Sequence, residues 1–193
     1  AVAADIVSEE GRAKVLEAAG QLDILVTNAG GPPPGMWADW TRDDFIKALD
    51  ANMLTPIALM QAALPGMMER GWGRVVNITS QSVKAPMAIL GLSNSARTGL
   101  TGFVAGTARQ VAPSGVCINN LLPGSHTTNR TDTMDGKRAA DAGVTIDDIR
   151  AEKFKDIPAR RYGTTEEFGA TCAFMCSQFA GFMVGQNILL DGG

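Results

Sequence analysis

The apolar positions of this chain fall into short runs that are separated by longer segments with helical periodicity. Branched apolar residues dominate residues 75–79, and such uninterrupted runs are typical of strands buried on both faces of a parallel sheet. We interpret four further segments in the same way, namely 2–6, 22–27, 116–122 and 187–190. The alternation of strands with helices predicts an α/β fold, in which right-handed crossovers build a parallel sheet covered on both faces.

Helix signals occupy the segments between these runs. One helix is predicted to begin after Ser8 and to stop at Gly20. Others are predicted over residues 43–50, 52–69, 93–111 and 165–177. Pro65 is expected to kink or end the second of these, because proline lacks the backbone N–H that a helix interior needs. Residues 125–160 are polar, with two further predicted helices, and a stretch this long after a strand end favours a substrate lid.

Composition narrows the class of protein. A length of 193 residues, 45% hydrophobic and 19% charged, predicts one ordinary soluble domain over residues 1–193. The net charge of -3 provides no basic surface, so we expect no nucleic-acid partner. No apolar run reaches about 18 residues, and no signal core occurs at the start, so we expect no membrane span and a cytoplasmic location. Three cysteines without C-x-x-C spacing and a single histidine argue against a metal cluster.

The most informative stretch joins the strand at 75–79 to the helix that begins near Ser93. Ser80 directly follows this strand. The carboxyl ends of strands in open α/β sheets face the crevice in which ligands bind. We therefore expect Ser80 and the first turns of the following helix to meet at one place, which is our candidate active site.

A series of short motifs occurs in the order and at the spacings of a known family. The motifs are Asp5-Ile6, Asn28-Ala29-Gly30, Asn52, Asn77-Ile78-Thr79-Ser80, Pro123-Gly124 with Thr128, Ile157-Pro158, Arg161-Tyr162-Gly163 with Glu166-Glu167, and Gly185-Gln186 through Asp191-Gly192-Gly193. Together they span almost the whole chain. In this respect the chain resembles the short-chain dehydrogenase/reductase family, especially the branch that includes 3-oxoacyl-carrier-protein reductases.

The resemblance implies a Rossmann-type, doubly wound parallel sheet and an oxidoreductase that uses NAD or NADP. The substrate would be a small molecule with a carbonyl or a secondary alcohol. The protein would form a homo-oligomer, a dimer or tetramer, through the helices at 52–69 and 93–111. Their apolar positions are equally compatible with a place in the core.

The resemblance also implies roles for individual residues. Asn52 and Ser80 would orient the substrate, and Arg97 would bind the cofactor ribose. The remaining cofactor contacts would come from Asp5 and Ile6 at the adenine, from Asn28, Ala29 and Gly30 at the adenosine half, and from Pro123, Gly124 and Thr128 at the nicotinamide.

The catalytic positions depart from the family pattern. The family places a tyrosine thirteen residues after the serine and a lysine four residues further on, and these positions hold Ser93 and Arg97. A serine hydroxyl is a much poorer acid than a tyrosine phenol and is shorter. An arginine keeps the positive charge but presents forked donors in place of a single ammonium. The proton would then come from Ser93 through water, from His126, or from a group that the sequence does not reveal.

Each of these residues also has a purely structural interpretation. His126 would be a water-exposed loop histidine, Ser93 a helix N-cap, and Tyr162, the only tyrosine, a packing residue. Asn52 would hold a water molecule or open a helix. The alternative function is a catalytically silent family member that binds a nucleotide or a protein partner.

The family's glycine-rich phosphate-binding turn has no counterpart near the start of this sequence. Asp5 corresponds to the end of the family's third strand, so the first two βα units are absent, and we expect the sequence to be N-terminally incomplete. In the strand order of the family, the two missing strands would lie between the strands at 2–6 and 22–27. With strands about 4.8 Å apart, these two strands would therefore flank a gap of roughly 14 Å.

Overall fold

Four parallel strands form one continuous sheet in the computed structural model, which describes all 193 residues. The strands follow chain order across the sheet, with β1 at one edge and β4 at the other. Their bounds are Ile24–Thr27 (β1), Gly73–Ile78 (β2), Val116–Pro123 (β3) and Asn187–Leu190 (β4). Four of the five predicted strands are therefore confirmed.

Seven α-helices connect and cover these strands. Their bounds are Glu9–Ala19 (α1), Arg42–Leu49 (α2), Thr55–Glu69 (α3), Gly91–Val111 (α4), Asn129–Ala142 (α5), Ile146–Lys155 (α6) and Thr165–Met175 (α7). Pro65 lies inside α3, which continues to Glu69, so of the two predicted effects of this proline, a kink or an end of the helix, the second is wrong. Its ring is exposed to solvent, where water can satisfy the carbonyl that loses its partner. No helix has the length and hydropathy that crossing a membrane requires.

The two central strands, β2 and β3, are buried on both faces. Ile24 and Val26 of β1 are 46% and 44% exposed, so the prediction that residues 22–27 form a buried strand is wrong as to burial. Val75 points to one face and packs with residues of α3 and α4, including Met60 and Val104. Val76, the next residue of β2, points to the opposite face and packs near Met175 of α7. Helices therefore cover both faces, as the uninterrupted apolar run predicts. The α/β class with a Rossmann-like parallel sheet is confirmed.

Residues 2–6 do not form a strand, contrary to prediction. The side chain of Asp5 accepts a hydrogen bond from the Val7 N–H, and its carbonyl accepts one from the Ser8 hydroxyl, at 3.0 and 2.8 Å. This turn leads into α1, for which Ser8 provides the N-cap. A short apolar segment becomes a strand only where a neighbouring strand pairs with it. The expected gap between two strands therefore does not arise, because this segment is not part of the sheet.

A chain of hydrogen-bonded polar side chains crosses the sheet near its carboxyl edge, with one residue from each strand. The residues from β1, β2 and β3 are buried, and the residue from β4 is half-buried. Thr27 donates to Asn77 Oδ1 at 2.7 Å, Asn77 donates to Asn120 Oδ1 at 3.2 Å, and Asn120 donates to Asn187 Oδ1 at 2.7 Å. These residues are also paired in the strand register. Since an unpaired polar group in this position would be costly, the chain specifies the register of all four strands.

Candidate functional site

A cavity of about 570 Å³ opens where the carboxyl ends of β1, β2 and β3 meet. This is the edge at which open α/β sheets bind ligands, and the volume is typical of small-molecule sites. Each strand contributes residues at or just after its carboxyl end. These residues are Asn28, Ala29 and Gly31 after β1, Ile78 and Thr79 at the end of β2, and Pro123, Gly124, His126 and Thr128 at the end of β3. Several predicted cofactor residues are therefore brought together.

Arg97 extends from α4 and lines this cavity. Its Nη1 donates to the Ile78 carbonyl at 2.9 Å, and its Nη2 donates to the Ala29 carbonyl at 3.4 Å. The residue is only 7% exposed, yet no carboxylate pairs with it. Burial, with a smaller contribution from the charge of Arg130, lowers the pKa of Arg97 to about 10. The guanidinium therefore keeps its charge at neutral pH.

Close packing at the start of α4 places Arg97 at this position. The helix begins at Gly91, where a methyl group in place of hydrogen would lie 2.2 Å from the ring of Trp40. Only glycine allows this approach between the helix and the loop that carries the tryptophan. Arg97 follows less than two turns along the helix and contacts the end of β2, where its guanidinium donates to the Ile78 carbonyl.

Ser93 and Ser80 lie at the same end of β2 as Arg97, and neither lines the cavity. The Ser93 hydroxyl accepts a hydrogen bond from Arg97 Nε at 3.2 Å. Ser93 is the third residue of α4, so the N-cap interpretation is wrong. Ser93 holds the guanidinium of Arg97 through this hydrogen bond but does not itself line the cavity. Ser80 is half-buried, and its hydroxyl accepts a hydrogen bond from the Ser82 N–H at 3.1 Å.

Asn52 lies in a turn of π-helix, Asp50–Leu54, that joins α2 to α3. Such turns occur often at functional sites, and neither the propensity nor the periodicity of the sequence indicates this one. The residue is 3% exposed, and its Oδ1 has no hydrogen-bond partner. It borders a neighbouring cavity of about 410 Å³, which also contains Gly30 and shares Gly31 with the first cavity.

His126 is buried, so its interpretation as a water-exposed residue is wrong. Its ring packs edge-on against Phe168 at a centroid distance of 5.2 Å. A side chain at residue 163 would collide with the ring, because a methyl group placed on Gly163 would lie 2.6 Å from Nε2. Nδ1 lies 3.2 Å from the Gly124 carbonyl. A carbonyl only accepts, so Nδ1 carries the hydrogen of this bond.

The packing interpretation of Tyr162 is confirmed. Its ring is buried against Phe154, and its hydroxyl donates to Asp135 Oδ2 at 3.0 Å. Burial and the neighbouring carboxylate raise the pKa of Tyr162 to about 12. This phenol is therefore a poor proton donor for chemistry at neutral pH.

Asp135 is a buried carboxylate that the sequence pattern did not single out. Its side chain on α5 is fully buried and pairs with two cations of α6, Lys153 and Arg150, in addition to Tyr162. A second pair, Asp132 with Arg150, joins the same two helices. In each of the pairs Asp132–Arg150 and Asp135–Lys153 the acid precedes the cation by 18 residues. This repeated separation is the one sequence signal that could have predicted the ion pairs between α5 and α6.

The parallel sheet, its two helical layers and the cavity at the carboxyl edge define a Rossmann-like α/β protein. The family model adh_short_C2, described as enoyl-(acyl carrier protein) reductase, matches residues 2–193. The chain therefore belongs to the short-chain dehydrogenase/reductase family. Members of this family are oxidoreductases that use NAD or NADP.

Relatives and solved structures agree with this assignment. The chain is 31% identical to the acetoacetyl-CoA reductase of Cupriavidus necator over 93% of its length and 69% of that protein. It is 32% identical to the 3-oxoacyl-[acyl-carrier-protein] reductase FabG of Vibrio harveyi over 98% of its length and 73% of that protein. The crystal structure of YwfH, an NADPH-dependent reductase involved in bacilysin biosynthesis, superimposes with a TM-score of 0.91 at 26% identity, covering all of this chain and 76% of YwfH. The catalytically silent alternative is not favoured.

The residues around the cavity fit the nicotinamide end of such a dinucleotide. Three of the five N–H groups of Arg97 are engaged by protein atoms, so two remain for ligand hydroxyls. Thr79 contributes a buried hydroxyl without a partner to the same wall. The absence of side chains at Gly30 and Gly31 leaves the backbone open to a ligand. Both the volume and the donors of the cavity are therefore compatible with NAD or NADP.

Proposed function

We propose that this protein reduces a carbonyl group, or oxidises a secondary alcohol, through an active site in which Arg97 and Ser93 take the catalytic positions. One observation carries the proposal: a buried, charged guanidinium without a carboxylate partner borders the ligand cavity at the end of β2. Burying an unpaired cation costs free energy unless a ligand or developing negative charge uses it. The names of the two reductase relatives support the same chemistry.

Electrostatic stabilisation of an oxyanion is the principal task of the protein in this reaction. When bound, the reduced dinucleotide supplies the hydride that converts the carbonyl carbon to an alcohol carbon. Negative charge then develops on the substrate oxygen, and the guanidinium of Arg97 stabilises it. The Ser80 hydroxyl accepts from the Ser82 N–H, which leaves its own hydrogen free to donate to the same oxygen.

The proton that neutralises the alkoxide follows a path through Ser93. Because the Ser93 oxygen accepts from Arg97 Nε, its hydrogen is free to donate, and the cation beside it favours proton release. Ser93 stands behind Arg97, so a water molecule completes the path to the substrate. Asn52, whose buried oxygen lacks a partner, orders water on the side of the neighbouring cavity.

The cofactor residues follow from the same proposal. Arg97 contacts the ribose next to the nicotinamide, and Pro123, Gly124 and Thr128 contact the nicotinamide itself. Asn28, Ala29 and Gly30 flank the adenosine half. The assignment of Asp5 and Ile6 to the adenine is supported by the family motif.

We further propose that residues 125–160 form a lid over the cavity within a single domain of 193 residues. The start of α5 supports this role, because Arg130, Thr131 and Met134 line the cavity. The protein acts as a homo-oligomer, a dimer or tetramer, through the exposed faces of α3 and α4. Their inward faces, including Leu59 and Leu100, belong to the core. Three unpaired cysteines are consistent with a reducing cytoplasm.

Alanine substitution on α4 tests the proton path. We expect Ser93→Ala to lower kcat by roughly 100-fold with little change in the dissociation constant of the dinucleotide, since general acid catalysis contributes that order of rate. Ser95→Ala is the control, because this exposed serine on the same helix bonds only to the Gly91 carbonyl. Steady-state oxidation of the reduced dinucleotide with a panel of carbonyl compounds provides the measurement. Equal rates for the two variants would refute the role of Ser93, and a loss in His126→Asn instead would assign the proton to His126.

The family residues provide a second test. The double variant Ser93→Tyr with Arg97→Lys restores the usual catalytic pair at this site. If the natural protein is an enzyme with its own proton path, it turns over carbonyl substrates without this change. Activity that appears only in the double variant would show that the natural protein binds a dinucleotide without catalysis.

A further inference from the structure

The cavity beside Arg97 carries a strong imbalance of charge. Its wall contains two arginines, Arg97 and Arg130, but no aspartate or glutamate. The chain as a whole is acidic, with 20 acidic and 17 basic residues. The local excess of positive charge is therefore a property of this site and does not reflect the composition of the chain.

The two guanidinium groups converge on one point. A methyl group placed on Gly31 would lie 3.5 Å from Arg130 Nη1 and 3.9 Å from Arg97 Nη2. The two cations lie close enough for the charge of Arg130 to disfavour the charged form of Arg97 and lower its pKa. Like charges that converge without an intervening acid are stabilised when an anion binds between them.

Arg130 and Arg97 present complementary donors to such an anion. The side chain of Arg130 is exposed and forms no ion pair or side-chain hydrogen bond, so its complete planar fork is available for bidentate contact with an oxyanion. Arg97 is held rigidly by three protein acceptors and adds a second fixed charge. The buried Thr79 hydroxyl, which lacks a partner, lines the same wall.

We infer that this cavity binds an oxyanion of the substrate, so that the preferred carbonyl compound carries a carboxylate or a phosphate near its reacting group. This inference rests on the proposed function for the identity of the ligand as substrate. Arg130 holds the oxyanion at the start of α5, and Arg97 stands between the oxyanion and the reacting oxygen. The fork of Arg130 thereby determines specificity, whereas the charge of Arg97 serves the reaction.

Direct binding measurements test the site without relying on turnover. Inorganic phosphate is titrated into the intact protein and followed by ³¹P line broadening, with NADPH absent and then saturating. We expect Arg130→Gln to weaken phosphate binding about 10-fold, as expected for the loss of charge-assisted hydrogen bonds. Arg138→Gln, on the exposed face of the same helix and without an ion pair, should remain within about twofold of the natural protein.

Two results would overturn the inference. Phosphate binding that is absent, or equal in Arg130→Gln and Arg138→Gln, would show that no oxyanion site exists there. Displacement of phosphate by saturating NADPH would assign the anion to the dinucleotide and not to the substrate.

Turnover separates this inference from the proposed function. We expect the natural protein to prefer pyruvate over acetone in kcat/KM, and Arg130→Gln to lose about 10-fold of that preference through KM. Turnover of both ketones without any effect of Arg130→Gln would refute the oxyanion site and leave the proposed function standing. Phosphate binding that depends on Arg130, in a protein that reduces no carbonyl compound, would refute the proposed function alone.

Discussion

Loss of the buried carboxylate of Asp135 should destabilise the protein far more than loss of its exposed neighbour. The Asp135 side chain is fully buried among Lys153, Arg150 and the Tyr162 hydroxyl. Asp135→Asn keeps the shape but removes the negative charge, so two cations lose their buried partner and the phenol loses a strong acceptor. Breaking a buried pair in this way typically costs about 3–5 kcal/mol.

The exposure of the two cations reduces this cost. The side chains of Arg150 and Lys153 are 28% and 30% exposed, so water can solvate them in part after the substitution. We therefore expect the free energy of unfolding to fall by about 2–3 kcal/mol. For a chain of this length the melting temperature would fall by roughly 6–9 °C. Urea and thermal unfolding, followed by circular dichroism, provide the measurement.

Asp132→Asn is the matched control, because it removes a carboxylate that also pairs with Arg150, at 2.6 Å, on the same helix. The Asp132 side chain is 48% exposed, and pairs of this kind contribute less than about 1 kcal/mol. Equal destabilisation by Asp132→Asn and Asp135→Asn would refute the reasoning, since Asp135 is buried with two cations and the Tyr162 hydroxyl, whereas Asp132 is half exposed and pairs with Arg150 alone.

The pH dependence gives the same prediction a second test. Burial alone would raise the pKa of Asp135, but hydrogen bonds from Lys153 and Tyr162 outweigh it and leave the pKa below its ordinary value. A carboxylate with a lowered pKa in the folded state stabilises the protein above its unfolded pKa of about 3.9. This stabilisation is lost as the pH falls through the lowered value. The difference in stability between the natural protein and Asp135→Asn should therefore be constant near neutrality and shrink below about pH 4. A difference that does not change with pH would contradict this assignment.

Two further predictions concern the sheet and its turns. Asn120→Leu should lower the free energy of unfolding by about 3 kcal/mol, because it leaves the buried amide of Asn77 and the half-buried amide of Asn187 without their partner; a loss below about 1 kcal/mol in urea unfolding would contradict the role of the polar chain. Gly115→Ala should cost more than Gly143→Ala, although both glycines have positive φ angles, 76° and 67°. A methyl group on Gly115 would lie 2.1 Å from a backbone carbonyl oxygen, whereas Gly143 has open space around it. We expect a loss of about 1 kcal/mol for Gly143→Ala, the cost of the left-handed backbone conformation alone, and equal melting temperatures for the two variants would refute the steric argument.

Local signals predicted most of the elements correctly. The branched run predicted at 75–79 corresponds to β2, which begins two residues earlier and ends one residue earlier, so that Thr79 follows the strand. The run predicted at 116–122 corresponds to β3, which is one residue longer at its carboxyl end. Residues 187–190 were predicted with the observed bounds. The runs at 75–79 and 116–122 succeed because burial on both faces leaves few alternatives for a short apolar segment between polar turns. The same rule failed at residues 2–6, because no neighbouring strand pairs with that segment in the structure.

The candidate site was predicted in part. Ser80, Ser93 and Arg97 do lie at one end of β2, since a strand end and the start of the next helix are neighbours in any crossover of this kind. The burial of His126 was not predicted, because it depends on Phe168 and on the missing side chain of Gly163.

The amino-acid sequence by itself determined the α/β class, the order of the elements and the family, since each of these depends on local pattern or on residue identity. Only the tertiary structure decided which charges are paired. Arg97 is left without an acid beside Arg130, whereas Asp135 is buried with two cations. Charge pairing depends on distances between residues far apart in the chain, and on how much water remains between them, and neither quantity is encoded in a local pattern.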